Sequence, residues 1–374
     1  MKNKIYFENL DGLRFFAFLG VFLHHSFHTE LAWIKESKTY QWADFLFKNG
    51  DMGVNFFFVL SGFLITYLLI HEKEKHQQIN IRYFYIRRIL RIWPLYYAAL
   101  LIGFVGFPLL KSTMGAISSE TANPLLYAFF LGNFSDMWNG LPDATILGVL
   151  WSVSIEEQFY LFWPLLLSLL PQRHYLKAFA LLILGSIVFR SFHYDDYFVL
   201  YYHTFSVISD MCVGGVIAYC SYFIPRFRAF FEELPKAKIV FIYLIGFTFI
   251  LFEKSIFTLS FLQIFSRLLY SLFFAFILLE QNYSRHSFYK MKNWKRLTHW
   301  GRMTYGLYCL HFLGILAAII LSKKMAWNQS IVGVLLIETA LAFGITWIIA
   351  WFSYQFFEMP FLKLKERFIN KEYQ

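Results

Sequence analysis

Residues 10–28 read LDGLRFFAFLGVFLHHSFH, an apolar stretch that contains an aspartate, an arginine and three histidines. Its length suits one membrane-spanning helix, which needs about 20 largely apolar residues. Ionisable groups are costly inside a lipid bilayer and are therefore functional candidates by default. The stretch raises two questions: whether the rest of the chain is also built for lipid, and what these ionisable side chains do.

The composition of the whole chain favours a membrane protein. Of its 374 residues, 58% are hydrophobic and 22% aromatic, while only 16% are charged. Soluble proteins average about 45–50% apolar and about 25% charged residues. A soluble enzyme, a secreted disulfide scaffold and a disordered protein are therefore excluded together. The three cysteines, Cys212, Cys220 and Cys309, lie in apolar stretches without CxxC spacing, so no disulfide framework or zinc site is indicated.

Ten apolar segments are candidates for spanning helices and predict an all-α, polytopic transmembrane helical bundle. They are residues 11–28, 53–71, 89–110, 147–170, 177–192, 204–224, 238–253, 257–280, 303–321 and 331–355. With the N-terminus in the cytoplasm, 23 Lys and Arg residues fall inside and 7 outside, as the positive-inside rule requires. We therefore expect about ten spans, with both termini inside, in a single membrane-embedded domain over residues 1–374. The same distribution explains most of the net charge of +10 without nucleic acid.

Three further expectations concern segments outside these spans or at the chain ends. The apolar patch 124–134 is too short to span and is expected to form a re-entrant or interfacial helix in the 111–146 loop. The first helix is not expected to be a cleavable signal peptide, because it carries Arg14 and paired histidines without a small-residue cleavage site. We expect no soluble domain of useful size at either end.

Helical geometry places Arg14 and His25 on one stripe of the first helix. Eleven residues at about 100° each leave the two side chains about 20° apart, and the rise per residue separates them by about 16 Å. They cannot hold the same small group, but they could hold two ends of a long substrate. Simpler alternatives stay open: Arg14 as a snorkelling side chain that faces Asp11 at i,i+3, and His25 as a neutral histidine satisfied by a neighbouring helix.

The spacing of Arg14 and His25 resembles the Arg-x10-His signature of the acyltransferase-3 family of membrane acyltransferases. Five further stretches are similar to landmarks of that family in the same order: GVNFFFVLSGFLIT at 53–66, RRILRIWPLYY at 87–97, LWSVSIEEQFYLFWPLL at 150–166, TYGLYCLHF at 304–312 and FFEMPF at 356–361. The sequence departs from the pattern at Phe15 and Phe16, where many relatives have Gly or Ala, and at Thr304, where Ser is common. The resemblance covers nearly the whole chain.

The resemblance implies a membrane-bound O-acyltransferase, expected to be an O-acetyltransferase of the bacterial cell (inner) membrane. Its acyl donor would be cytoplasmic acyl-coenzyme A, expected to be acetyl-CoA, and its acceptor a hydroxyl of a cell-envelope or exported glycan, including a lipid-linked glycan. Some family members carry a fused extracytoplasmic hydrolase-like domain. Because this chain stops after its last span, we expect either an extracytoplasmic partner protein or direct capture of the acceptor.

His25 is the catalytic candidate, with Arg14 holding the donor nearer the membrane. A base must remove the proton of the acceptor hydroxyl, and histidine titrates near the working pH. The imidazole of His25 is also able to accept the acyl group and pass it on. The sequence does not separate these two roles.

Three arginines, Arg87, Arg88 and Arg91, lie where the second cytoplasmic loop enters the third span. Guanidinium groups suit the phosphates of coenzyme A, while topology and lipid-headgroup contact are the simpler reading. Glu156 and Glu157 are costly in an apolar span and diverge by about 100°, so they cannot form one paired-acid site. We expect one to pair with an arginine and the other to orient His25, with a structural ion pair as the competing interpretation.

Two further expectations concern histidines. His311 in the ninth span is expected to be a satisfied core histidine rather than a catalytic one. Metal binding is not expected, since His24 and His25 are adjacent rather than four residues apart.

The alternative function is a transporter or flippase for a lipid-linked glycan, which also needs charges within the membrane. It gives no reason for the spacing of Arg14 and His25 or for the arginine cluster.

Overall fold

The computed structural model describes residues 5–113, 115–257 and 259–371, and within these ranges it contains helices and no strand. The α-helices in chain order are α1 Glu8–His24, α2 Ala32–Lys35, α3 Lys38–Phe47, α4 Gly53–His76, α5 Ile81–Leu101, α6 Phe107–Thr113, α7 Pro124–Ala128, α8 Gly132–Asn139, α9 Leu150–Leu169, α10 Tyr175–Phe192, α11 Tyr197–Tyr202, α12 Thr204–Phe223, α13 Pro225–Glu232, α14 Lys236–Leu251, α15 Glu253–Ile256, α16 Gln263–Tyr283, α17 Lys295–Gly301, α18 Thr304–Lys324, α19 Thr339–Phe352 and α20 Met359–Lys371. Wider π-helical turns occupy Ile102–Gly106, Gly333–Glu338 and Ser353–Glu358. Short 3₁₀ turns occupy Gly50–Met52, Leu147–Val149, Gln172–His174, Ser260–Leu262, Met291–Asn293 and Trp327–Gln329.

The expected class of helical, multi-pass membrane protein is confirmed, and each of the ten predicted segments coincides largely with helix. By length and apolar composition, seven helical segments of the described residues are able to span a membrane, or eight if the bent pair α13–α14 is one span. The predicted segment at α1 forms a helix of 17 residues, and α9 contains the polar run Glu156–Gln158. The count of ten spans and the inside location of both termini stay predictions.

The chain divides into two compact units, each assembled from separate stretches of sequence. The first unit comprises the residues up to Ala17, Met52–Ile79 and Phe159–Arg302; the second comprises Phe18–Asp51, Asn80–Gln158 and the residues from Met303 onward. The single domain over residues 1–374 stays a prediction.

In the first unit, α12 packs against α4, α10 and α16. Glycines allow the backbones of α4 and α12 to approach closely: a Cβ on Gly62 would lie 2.0 Å from the carbonyl oxygen of Met211, and one on Gly214 would lie 2.2 Å from that of Val59. Small residues at such crossings are typical of membrane helices, where packing rather than water exclusion drives association. The contact fixes the helices that carry the buried charges described below.

In the second unit, α18 packs along α19 and also contacts α5. Gly314 permits this approach, because a Cβ there would lie 2.1 Å from Oγ1 of Thr346. The helix α18 thereby presents the side chains of Tyr305, Tyr308 and His311 to the interior of the second unit, where Tyr308 and His311 are buried.

The predicted apolar patch 124–134 forms two short helices, α7 and α8, rather than one. The side chain of Asn123 accepts hydrogen bonds from the N–H groups of Leu125 and Leu126 and so caps α7. Phe130 then takes a left-handed conformation with φ of 56°, which ends the helix.

An ion pair joins the two ends of this loop. The ammonium of Lys111 in α6 lies 2.5 Å from Asp143 and holds the pKa of that carboxyl below its usual range.

Candidate functional site

Two imidazole rings meet in the second unit. His25 directly follows α1, and its ring stacks on that of His311 from α18 with centroids 5.4 Å apart and an interplanar angle of 30°. Phe312 adds a third ring, 4.8 Å from His25 and 4.5 Å from His311. His25 is half-buried, whereas His311 is completely buried. We call His25 and His311 the histidine pair.

The hydrogen bonding of His311 fixes its protonation. Its Nδ1 lies 2.7 Å from the carbonyl oxygen of Tyr308, and a carbonyl only accepts, so Nδ1 carries a proton. In the neutral ring, Nε2 is then a bare acceptor. This buried Nε2 has no hydrogen-bond partner among the described residues. The expected satisfied core histidine is therefore satisfied at one nitrogen only, and the other presents an unpartnered lone pair.

Hydroxyl groups lie along α18 on the N-terminal side of the histidine pair. Tyr308 and Ser152 of α9 have their oxygens 2.7 Å apart, and one turn earlier Tyr305 donates to the carbonyl oxygen of Ile92 at 2.9 Å. Tyr305 precedes His311 by six residues, about 9 Å along a helix. Polar groups thus continue from the histidine pair to the part of the second unit that holds its carboxylates.

Three carboxylates surround the Tyr305 end of α18. Glu157 accepts a hydrogen bond from Nε1 of Trp93 at 2.8 Å, and its Oε1 is buried without a hydrogen-bond partner in the described chain. Glu358 accepts from Ser353 at 3.0 Å. The charges of Glu157 and Glu358 both act on Tyr305, and that of Glu156 acts on Cys309. The adjacent glutamates therefore have different surroundings, as their positions on one helix require.

The predicted arginine cluster lies on α5, beside these carboxylates. The guanidinium of Arg88 lies over the ring of Phe84 at 5.5 Å, and its charge interacts with Glu157. Arg91 is exposed, and its charge interacts with Glu358. Arg87 is half-buried one turn before Arg91. The arrangement places groups able to bind phosphates within the electrostatic influence of two carboxylates.

Arg14 belongs to the first unit, whereas His25 belongs to the second. The predicted pairing of Arg14 with Asp11 is confirmed as an ion pair between Nη1 and Oδ1. Asp11 also accepts a hydrogen bond from Tyr6 at 2.6 Å and lies 3.8 Å from Arg302. Asp11 is therefore a buried counterion as well as a first-turn acid of α1.

Sequence reasoning missed Trp93 as the donor to Glu157 and did not predict that Nε2 of His311 lacks a hydrogen-bond partner among the described residues. A signal for Trp93 was present, because an indole N–H inside an apolar helix needs an acceptor. No local signal reveals His311, since its state depends on which groups the fold places around Nε2. Within the described residues, no group of three or more His, Cys, Asp or Glu side chains is placed to hold a metal ion.

The fold and the site define a multi-pass helical membrane protein that carries histidines, carboxylates and arginines within its helical units. A sequence model described as an acyltransferase domain matches residues 7–354, and the chain belongs to this family, acyltransferase 3. The predicted family is thereby confirmed.

Curated relatives are similar over nearly the whole chain. The O-acetyltransferase OatA of Staphylococcus aureus is 28% identical over 381 residues, which cover 97% of this chain and 58% of that protein. The peptidoglycan O-acetyltransferase OatA of Listeria monocytogenes is 28% identical over 396 residues, 98% of this chain and 57% of that protein. YrhL of Bacillus subtilis is 29% identical over 375 residues, 95% and 55% of the two chains. The chain thus spans less than two thirds of the length of these relatives. No solved structure matches.

Proposed function

We propose that this chain is a membrane O-acetyltransferase that moves an acetyl group from cytoplasmic acetyl-CoA to a hydroxyl of a cell-envelope glycan. The observation that carries the proposal is the histidine pair, in which the half-buried ring of His25 stacks on that of buried His311, whose Nε2 has no hydrogen-bond partner among the described residues. Membership of the acyltransferase family supports the reaction class. The name of the Listeria relative supports a peptidoglycan-type acceptor.

The reaction sets the chemical requirements. The acceptor hydroxyl loses its proton, its oxygen bonds to the acyl carbon, and the carbon–sulfur bond of the thioester breaks so that coenzyme A leaves as a thiol. An imidazole serves as the base at neutral pH. In the two-step route, a ring nitrogen of His25 first takes the acetyl group and then yields it to the hydroxyl. In both routes Nε2 of His311, whose ring stacks on that of His25, would serve as a second acceptor.

The donor would be held by Arg87, Arg88 and Arg91, whose guanidinium groups bind the phosphates of coenzyme A. The charge of Glu157 interacts with Arg88, and that of Glu358 interacts with Arg91. These carboxylates would orient the two guanidinium groups for the donor. Glu156 and Glu157 would act as positioning carboxylates, and Arg14 would hold the donor nearer the membrane.

Transfer in reconstituted liposomes tests the proposal. Wild-type protein receives acetyl-CoA labelled in the acetyl group and a glycan acceptor, and labelled glycan is measured. His25→Ala should abolish transfer while membrane insertion stays intact, and His286→Ala, at an exposed histidine outside the pair, should leave transfer unchanged. Normal transfer by His25→Ala would refute the role of His25.

Binding of labelled acetyl-CoA to purified protein separates the enzyme from the transporter or flippase. The enzyme predicts saturable binding that is lost in the double variant Arg87→Ala/Arg88→Ala. An absence of saturable binding to the wild-type protein would favour transport of a lipid-linked glycan instead.

A further inference from the structure

The first unit contains a buried arginine whose role the acyl-transfer proposal does not explain. Arg190 lies near the end of α10 and is 2% exposed. Its Nε, Nη1 and Nη2 atoms are all buried, and none has a hydrogen-bond partner among the described residues. Arginine stays protonated in proteins and presents five N–H donors. The side chain therefore holds an unsatisfied positive charge within a helical bundle.

The carboxylate whose charge acts on Arg190 is already bound to other groups. Asp210 of α12 is completely buried and accepts from Nε and Nη2 of Arg267 at 3.0 and 2.9 Å. It also accepts from Ser271 at 2.8 Å and from Asn55 at 3.1 Å. The charge of Arg190 interacts with both Asp210 and Arg267. Asp210 thus pairs with Arg267 alone, and the positive charge of Arg190 has no ion-pair partner among the described residues.

An uncompensated cation in such surroundings is unfavourable unless an anion joins it. Desolvating an ion is costly, and the cost is recovered only when partners satisfy its charge and its donors. The helices α10, α12 and α16 each belong to a candidate membrane span, so bulk water is a poor source of compensation. The free donors of Arg190 form a planar fork that matches the oxygens of a phosphate group.

We propose that Arg190, together with the Arg267–Asp210 ion pair, forms a binding site for a phosphate group. The ion pair with Asp210 holds Arg267 in place, while the guanidinium of Arg190 donates hydrogen bonds to the phosphate oxygens. The phosphate belongs either to the head group of an anionic lipid or to a free phosphate ion, since both present the same oxygens. Basic sites between membrane helices bind lipid head groups by this chemistry.

Binding to the purified full-length chain in neutral detergent tests the site with two probes, phosphatidylglycerol and inorganic phosphate. Thermal unfolding and native mass spectrometry follow binding, with sodium chloride of equal ionic strength as the reference. We expect Arg190→Met to bind about 10- to 100-fold more weakly than wild type, because a charge-assisted hydrogen-bond donor is lost. Arg226→Met removes an exposed arginine from the same unit and should bind as wild type does.

A second readout distinguishes ligand binding from a structural role. Without probe, Arg190→Met should unfold at the same temperature as wild type or higher, because the unpaired buried charge has been removed. Stabilisation by phosphatidylglycerol alone assigns the lipid head group, and stabilisation by both probes assigns any phosphate group. The proposal is overturned if neither probe stabilises the wild type, or if Arg190→Met binds both equally well. The wild-type titration alone decides the outcome if Arg190→Met does not fold.

Discussion

The side chain of His311 has two nitrogens with different expected roles, and two substitutions separate them. Asparagine carries its amide nitrogen near the position of Nδ1, so His311→Asn is able to keep the hydrogen bond to Tyr308 and removes Nε2. Glutamine places a polar atom near Nε2 but removes the donor that lies 2.7 Å from the Tyr308 carbonyl oxygen. If Nε2 serves the reaction, His311→Asn should lower the rate of transfer about 10²- to 10⁴-fold, the usual contribution of a general acid or base.

The stability cost of the same substitutions is small enough to measure separately. A hydrogen bond contributes about 0.5–1.5 kcal/mol net, so His311→Gln should lose about that amount relative to His311→Asn, apart from differences in packing. Both variants also lose ring contacts with Phe18, Phe22 and Phe312, and a core substitution commonly costs about 0.5–3 kcal/mol. Neither loss in stability accounts for a loss of activity measured well below the unfolding temperature.

Single-turnover transfer in liposomes measures the effect on chemistry, and thermal unfolding of the same preparations measures stability. The pH dependence of transfer adds a readout that a purely structural residue would not change, because loss of Nε2 removes a titrating group. Transfer by His311→Asn at the wild-type rate would exclude a role for Nε2 in the reaction. So would a loss of activity that follows unfolding temperature across the two variants.

Two further predictions concern stability. Gly62→Ala should destabilise the protein by about 1–3 kcal/mol in reversible denaturation, because its Cβ would lie 2.0 Å from the Met211 carbonyl oxygen, whereas Gly185→Ala, with nothing within 4 Å, should be neutral or stabilising; equal effects would contradict the packing. Burial raises the pKa of Asp136 to about 7, so its ionisation should lower stability as pH rises from about 4 to 7, by at most about 1.4 kcal/mol per pH unit. Asp136→Asn should remove this dependence and be more stable than wild type above pH 7, and an unchanged stability curve would argue against it.

Much of the fold follows from sequence because apolar runs in lipid have few structural options. A chain in lipid must satisfy its backbone internally, so the predicted segments become helices. The break at Phe130 was not predicted, because it depends on a left-handed residue of a type that rarely adopts this conformation. The assembly of two units from separate stretches was not predicted either, since it depends on long-range packing.

The candidate site was partly predictable for the same reasons. Charges in apolar runs made Arg14, His25, Glu156 and Glu157 candidates, whose roles stay predictions, and helical spacing predicted the pairing of Arg14 with Asp11. Contacts between helices were not accessible, such as the indole of Trp93 against Glu157. The ring stack of His25 on His311 likewise joins positions 286 residues apart in sequence, and no periodicity within one helix reports such a contact.

The proposed function requires that acetyl transfer depend on His25. The most direct measurement is a single turnover of liposome-embedded protein with acetyl-CoA labelled in the acetyl group, quenched rapidly and assayed for label on the protein and on the glycan. We predict labelled glycan for wild type and for His286→Ala, and none for His25→Ala inserted to the same level. If His25→Ala transfers label to the glycan at the wild-type rate, acetyl transfer does not depend on His25.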